Sequence, residues 1–315
     1  MPLVLGLASS HAPSMFLPPE KWQQFYPLLT RGLPQPPSAE RETATVIEEF
    51  VSRIDQAFAV LRAKIAAARP DVLVMVGDDQ GEVFSDQCMP NLAVFTGEAC
   101  SGSCNLDQLG EPLDANHIVL QGHPAVAEQI VAGLVEAGFQ PAVIRRLVAT
   151  GKPAGGIGHA FTRPARALGV EALQLPVVPI FLNAYHPPLM SARHCLELGK
   201  TLARIAERLP ERIAVYGSGG LSHDPRGPRA GWVDEPLDRW VLGRIAAGDH
   251  EALANLFTID SDTLRSGTGE IRSWVVVAGA FAGVRASVVD YFVAHHAVTG
   301  IGFAVWPADS GLPHR

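Results

Sequence analysis

Histidine and acidic side chains follow several short apolar runs of this chain, and their types could bind a metal ion. His11 and His223 each come shortly after such a run, as does the acidic segment 78–82, and Glu270 precedes an apolar helical pattern. Two imidazoles and one carboxylate are the ligand set of non-haem Fe(II) sites that leave positions open for substrate and O₂. A further neutral histidine nearby could accept or donate a proton. The pattern therefore predicts a metal centre with acid–base groups beside it.

Buried strands are needed to bring these residues together. The apolar runs at 2–8, 71–76, 177–183 and 212–216 have the length and β-branched content of buried strands. Ligands of open α/β sheets bind at the carboxyl ends of the strands. We therefore expect His11, segment 78–82 and His223 to meet at one edge of a sheet.

Helical patterns separate the predicted strands. Apolar residues spaced three to four apart predict a long helix from Ser38, its N-cap, to about Ala68. Residues 17–38 contain many prolines, and we expect an irregular loop that packs over another part of the molecule and could serve as a lid. Residues 97–116 are expected to be a surface excursion. The fold class predicted is α/β, with residues 1–315 as a single domain whose central, mainly parallel or mixed sheet has helices on both faces.

The composition excludes several classes of protein. The 315 residues carry a formal net charge of -7, without a basic stripe that could bind nucleic acid. No apolar run approaches the length of a membrane span, and no signal-peptide pattern opens the sequence. The four cysteines show neither a disulfide framework nor CxxC spacing. We therefore expect a cytoplasmic protein with neither a nucleic-acid nor a membrane partner.

Three motifs resemble one family of enzymes. Ser10-His11-Ala12-Pro13, the stretch from Gly217 to His223 (GSGGLSH) and the stretch from Gly267 to Trp274 (GTGEIRSW) resemble the class III extradiol ring-cleaving dioxygenases. Within that family, the motifs are similar to those of the catalytic β subunit of protocatechuate 4,5-dioxygenase. The resemblance extends in order over nearly the whole chain. It implies Fe(II)-dependent opening of a catechol-type ring with O₂, in an oligomer that in some relatives includes a small companion subunit.

The resemblance also implies roles for individual residues. His11 and Glu270 match iron ligands of the family, and His223 matches its acid–base histidine. His159 resembles a second histidine that contacts the substrate. In the implied reaction an aromatic diol binds the metal beside His11 and Glu270, and His223 takes and returns a proton.

One position departs from the family pattern, because Gln80 stands where the second histidine ligand is expected. Asp78 or Glu82 could supply a carboxylate instead, since an extended segment would point all three side chains to the same side. One imidazole with two carboxylates is a harder set, nearer to the preference of Mn or Mg. Three readings stay open: an Fe(II) enzyme, a relative with Mn, and a metal-free relative that is a binding protein or a hydrolase.

Basic residues flank the loop around residue 150. These residues are Arg145, Arg146, Lys152 and Arg163. One of them could bind a carboxylate of the substrate, and the alternative is a solvated basic face.

Overall fold

A large mixed sheet forms the centre of the molecule. The computed structural model describes residues 3–225 and 227–307. In these ranges the strands are β1 (Leu3–Ser9), β2 (Val72–Gly77), β3 (Leu92–Phe95), β4 (Ala99–Ser103), β5 (His117–Gln121), β6 (Ala142–Ile144), β7 (Val177–Leu182), β8 (Ile213–Ser218), β9 (Ser287–Ala294) and β10 (Thr299–Pro307). Eight of them form one sheet in the order β6-β3-β7-β2-β8-β1-β10-β9, and β4 pairs with β5 in a separate ribbon.

The four central strands of this sheet, β7, β2, β8 and β1, run parallel to one another. The edges are mixed, because β3 is antiparallel to β7, β10 is antiparallel to β1, and β9 is antiparallel to β10. The central strands are apolar and almost wholly buried, as strands covered on both faces must be. The predicted fold class, a mainly parallel or mixed α/β sheet in one domain, is confirmed.

Helices cover both faces of the sheet. They are α1 (Pro19–Thr30), α2 (Ala44–Ala68), α3 (Pro124–Glu136), α4 (His159–Leu168), α5 (Ala192–Ala206), α6 (Glu235–Ala247), α7 (His250–Ala254) and α8 (Ile271–Ala280). Alternate residues of β2 point to opposite faces. Val72, Val74 and Val76 pack with α3, α5 and α8, whereas Leu73 and Met75 pack with α1, α2 and α4. No helix of the described ranges is both long and apolar enough to cross a membrane.

Two expectations about local structure are wrong. Residues 17–38 are not an irregular loop, because α1 occupies much of this segment and buries Trp22 and Phe25. Pro18 and Pro19 stand at the N-cap and first position of this helix, where the missing N–H has no intrahelical partner to lose. The long helix α2 begins after Thr43 rather than Ser38, since Pro37–Arg41 forms a separate 3₁₀ turn. The expected surface excursion 97–116 includes strand β4, which pairs with β5 outside the main sheet.

Candidate active site

Three buried polar side chains meet at the carboxyl edge of the central strands. His11 follows the end of β1, Asp78 directly follows β2, and Glu270 stands immediately before α8. The His11 Nε2 atom lies 3.5 Å from Asp78 Oδ1 and 3.5 Å from Glu270 Oε2. The potential ligand atoms of the three residues lie within 4.8 Å of one another, and all three residues are buried. This group could hold a metal ion.

The tautomer of His11 follows from its hydrogen bonds. Ser218 Oγ donates its single proton to the carbonyl oxygen of Ala160, at 2.6 Å. The same Oγ can therefore only accept from His11 Nδ1, which lies 2.9 Å away. Nδ1 carries the proton, and Nε2 presents a lone pair to the two carboxylates. Three facing acceptors repel one another unless a cation or a proton lies between them.

Asp78 is the most unusual member of the group. Both of its carboxylate oxygens are buried, and neither receives a hydrogen bond from the described part of the chain. His11 Nε2 is also buried and has no hydrogen-bond partner within residues 3–225 and 227–307. Buried polar atoms in folded proteins almost always have partners, so these three atoms mark a candidate site for a ligand. A divalent ion binds these donor types at about 2.0 to 2.2 Å, which is compatible with the spacing of these donors.

Glu270, by contrast, is held by several donors. The Tyr185 hydroxyl donates to Oε1, and Gln80 Nε2 donates to the same oxygen at 3.1 Å. The backbone N–H of Gly220 donates to Oε2 at 2.7 Å. At Gly219 a side chain would place Cβ only 2.8 Å from Glu270 Cβ, and φ is +129°. The small residues after β8 therefore let the backbone approach this carboxylate closely.

The electrostatics of the group are those expected of a cation site. Burial lowers the pKa of His11 to about 3, so this imidazole is neutral at physiological pH. Burial raises the pKa of Asp78 well above its usual range, and the negative charge of Glu270 raises it further. Burial would also raise the pKa of Glu270, but attraction to His223 and His11 lowers it instead. Without a metal ion, the group keeps one carboxylate charged and favours a proton on the other.

His223 lies at the wall of the same site. Its Nδ1 donates to the carbonyl oxygen of Leu221 at 2.9 Å, and its Nε2 lies 3.5 Å from Glu270 Oε1. Burial would lower the pKa of His223, but the negative charge of Glu270 raises it above its usual value. Gly267 packs against the ring, and a Cβ there would lie 2.2 Å from Nε2. Nε2 is therefore the atom through which His223 can exchange a proton with a bound molecule.

His159 opens helix α4 and faces His11, with the two ring centroids 4.9 Å apart. Its Nδ1 donates to Glu82 Oε1 at 2.7 Å, and its backbone N–H reaches the same oxygen at 3.2 Å. Burial would raise the pKa of Glu82, but pairing with His159 lowers it to about 2. The hydrogen bond from Nδ1 to Glu82 orients the ring, and Nε2 can then contact a molecule bound in the cavity.

The acidic loop after β2 divides its side chains among several tasks. Asp78 joins His11 and Glu270, Glu82 pairs with His159, and Gln80 contacts Glu270. Asp79 accepts hydrogen bonds from the backbone N–H groups of residues 81–84, and it therefore shapes the loop itself. Gln80, which stands at the expected histidine position, and its two possible substitutes, Asp78 and Glu82, thus all lie near the site. Only Asp78 belongs to the group with His11 and Glu270.

A cavity of about 300 Å³ opens beside these residues. His11, Gln80, His159 and His223 line it. Of the four basic residues around position 150, Lys152 and Arg163 also line the cavity, whereas Arg145 and Arg146 do not. Lys152 is paired with Asp107 at 2.6 Å.

Sequence reasoning missed two residues of the site. Tyr185, which donates to Glu270, follows β7 as Asp78 follows β2, and its position after a strand end was the available signal. Ser218, which fixes the tautomer of His11, lies within the predicted glycine-rich stretch. Its role required knowledge that Ala160 approaches β8 from another element.

The fold and the site together define an α/β protein with a candidate metal centre at the carboxyl edge of its central strands. The family described as the catalytic LigB subunit of aromatic ring-opening dioxygenase matches residues 32–305. The chain belongs to this family. The family resemblance seen in the sequence is thereby confirmed.

Curated relatives carry a consistent name. The chain is 29% identical over 197 residues to a 2,3-dihydroxyphenylpropionate/2,3-dihydroxicinnamic acid 1,2-dioxygenase 1 of Pseudomonas putida, covering 62% of this chain and 57% of that protein. It is 32% identical over 201 residues to the corresponding dioxygenase of Comamonas testosteroni, covering 63% and 57%. The match to the Paraburkholderia phymatum dioxygenase is 25% identical and covers 78% and 86%. The chain thus spans less than two thirds of the length of the first two relatives.

One solved structure shares the fold. The crystal structure of the uncharacterized protein JW3007 from Escherichia coli K12 is similar, with a TM-score of 0.51 and 14% sequence identity. The match covers 96% of this chain and 99% of that one. At this identity the likeness concerns the fold alone.

Proposed function

We propose that the protein is an extradiol dioxygenase that opens a catechol-type aromatic ring with O₂ at a metal ion bound by His11, Asp78 and Glu270. The observation that carries the proposal is the buried group of His11, Asp78 and Glu270, in which His11 Nε2 and both oxygens of Asp78 have no hydrogen-bond partner in the described ranges. Family membership supplies the reaction class. The domain implied is the whole chain, residues 1–315.

Fe(II) is the metal we propose, because the family resemblance implies it. Gln80 stands where the family pattern has a second histidine, and Asp78 takes the place of that ligand. The donor set therefore has one nitrogen and two carboxylates. That set also suits Mn(II). When bound, a redox-active divalent ion would supply adjacent positions for the two substrate oxygens and for O₂.

The protein's own groups would position the substrate and move protons. His223 is anchored through Nδ1, and its Nε2 would take a proton from one substrate hydroxyl and later return it. His159 is anchored through Nδ1 by Glu82, and its Nε2 would contact the substrate from another side of the cavity. Tyr185 and Gln80 occupy Glu270 Oε1, which leaves Oε2 directed at His11 and Asp78.

The proposed substrate is a small aromatic diol. The cavity of about 300 Å³ lies at the lower end of the range for ligand pockets, which suits a single ring with a short substituent. Relatives are named for 2,3-dihydroxyphenylpropionate, and this compound is the first to test here.

A hydrolase based on His223 receives little support from the geometry. Ser218 is buried and donates its proton to Ala160, so it cannot act as a nucleophile activated by His223. Asp79 is committed to backbone N–H groups. Ser218 and Asp79 are therefore both committed to other contacts.

We further propose a cytoplasmic oligomer, either of this chain alone or with a small companion subunit. The family resemblance supports this proposal. Light scattering on the purified protein, with and without candidate companion chains, tests it.

The deciding experiment is purification without oxygen, followed by metal analysis and measurement of oxygen uptake with a panel of catechols. We expect about one Fe or Mn per chain and uptake of one O₂ per molecule of the best substrate. A protein that binds metal but consumes no oxygen with any catechol would contradict the proposed reaction. A protein without metal and without activity would instead favour a binding function.

A further inference from the structure

Arg163 is a buried cation that lines the cavity. It is 6% exposed. Its Nε and Nη2 donate to the backbone carbonyl oxygens of Cys104 and Asn105, at 3.3 and 2.8 Å. In the described ranges Arg163 forms no ion pair, and its Nη1 makes no hydrogen bond. Buried charges in proteins are normally paired, because removing them from water is costly.

The other cations of the molecule show how such charges are otherwise accommodated. Lys152 lines the same cavity but is paired with Asp107, and Arg31 at its mouth is exposed. Arg272 is as buried as Arg163, but the ring of Phe257 covers its guanidinium at 3.9 Å and it does not line this cavity. Arg163 differs from all three, because it is buried and also faces the cavity.

Among the carboxylates, Glu82 acts most strongly on the charge of Arg163. Its negative charge attracts Arg163, but Oε1 is committed to His159 and the two side chains form no ion pair. Burial still lowers the pKa of Arg163 below its ordinary value. The positive charge of Arg163 in the cavity wall would therefore be stabilised by an additional anion.

The position of Arg163 relative to the site indicates where that anion would lie. Arg163 follows His159 by four residues on α4, so the two side chains share one face of the helix. Residues at this spacing have Cβ atoms roughly 5 to 6 Å apart. A ring bound beside His159 would therefore direct a short substituent towards Arg163.

We propose that Arg163 binds the anionic substituent of the aromatic substrate, so that the protein selects catechols with a carboxylate on a short chain over neutral catechols. The proposal rests on the proposed function and names the specificity of the same site. A guanidinium held by two backbone carbonyl groups is preorganised to donate its remaining N–H groups to a carboxylate.

The test is equilibrium binding in the absence of oxygen, with 2,3-dihydroxyphenylpropionate and its methyl ester as a matched pair. We expect the wild-type protein to prefer the acid by roughly 30-fold or more, and Arg163→Gln to reduce the preference below about threefold. Arg166→Gln is the control, because Arg166 carries the same charge on the same helix, bonds Asn116 and does not line the cavity. It should keep the wild-type preference.

Arg163 also supports the loop at Cys104, so Arg163→Lys serves as a second variant if Arg163→Gln does not fold. It keeps a cation but loses the planar fork, and we expect a preference of about 3- to 10-fold. Equal binding of acid and ester by the wild type, or an unchanged preference in every folded Arg163 variant, would overturn the proposal. Because binding is measured without turnover, a clear preference with no oxygen uptake would reject the proposed reaction and retain the role of Arg163.

Discussion

Asp78 and Asp238 are both buried aspartates, but they differ in what surrounds them. Asp238 is 0% exposed, and each of its oxygens accepts a hydrogen bond, from the Ser222 N–H at 2.8 Å and from the Tyr291 hydroxyl at 3.0 Å. Asp78 is 4% exposed, and its oxygens receive none from residues in the described ranges. Burial raises the pKa of both carboxyl groups.

The difference teaches how to separate structure from function among buried acids. Asp238 ties α6 to the loop after β8 and to β9, and its partners compensate for its burial. Asp78 links no elements by hydrogen bonds within the described ranges, and it lies beside His11 and Glu270 instead. A buried carboxylate without hydrogen-bond donors contributes to stability only when a ligand binds it.

The largest effect is expected from Glu270→Gln, which removes a charge from the metal group. Activity should fall by well over about 100-fold, because loss of a ligand exceeds the usual cost of losing an outer partner. Asp238→Asn, the matched change at the structural acid, should alter activity by less than about threefold. Oxygen uptake with the best catechol measures both. Equal losses in the two variants would remove the distinction between the two acids.

Gly267→Ala should displace His223 without touching the metal group. A Cβ at this position would lie 2.2 Å from His223 Nε2, so the ring must move. A displacement of about 1 Å can cost on the order of 100-fold in rate, and we expect a fall of about 10- to 100-fold with unchanged metal content. Gly243→Ala, where no atom lies within 4 Å of the added Cβ, is the control. Full activity in Gly267→Ala would contradict a catalytic His223.

Tyr185→Phe should weaken metal binding by about 10-fold, the lower end of the range for partners of a ligand. The hydroxyl donates to Glu270 Oε1, and its loss frees that oxygen to turn towards the other acceptors. Competition with a chelator measures the affinity in the resting protein. An affinity equal to that of the wild type would show that Gln80 and Gly220 suffice to orient the carboxylate.

The smallest effect is a pH dependence of stability at Asp238. Burial raises the pKa of Asp238 from 3.8 to about 7. Between these two values the folded state keeps a proton that the unfolded state loses, so stability should fall as the pH rises through this window. Asp238→Asn should remove a loss on the order of 1 to 3 kcal/mol between pH 4 and 8, measured by urea unfolding. Parallel pH profiles of wild type and variant would contradict this assignment.

The sequence contained enough information for the central sheet and for much of the site. The strands β2, β7 and β8 are continuous apolar runs, and their ends carry the polar residues that converge. His11 and Glu270, 259 positions apart in the numbering, are brought together as expected, because His11 follows β1 at the carboxyl edge of the sheet and Glu270 stands at the start of α8 beside that edge. Their roles as ligands stay proposals until metal binding is measured.

What the sequence did not predict depended on local geometry. The prolines of segment 17–38 suggested a loop, although two of them fit the start of α1 and Pro27 lies inside this helix. The choice among Asp78, Gln80 and Glu82 could not be made from spacing, because the chain leaves the strand after Gly77 and each side chain then turns to a different partner. Tyr185 follows the end of β7, and this position places it near the site, but its hydrogen bond to Glu270 depends on a residue 85 positions away.

Titration of Fe(II) into the metal-free protein under anaerobic conditions, followed by calorimetry, is the most direct measurement of the metal group. For the wild type and for Asp238→Asn we expect about one ion per chain, and for Asp78→Asn an affinity lower by at least about 100-fold. Mn(II) should give the same order of affinities. A wild-type protein that binds neither ion, or an Asp78→Asn variant that binds as tightly as the wild type, would contradict the assignment of Asp78, His11 and Glu270 as a metal centre.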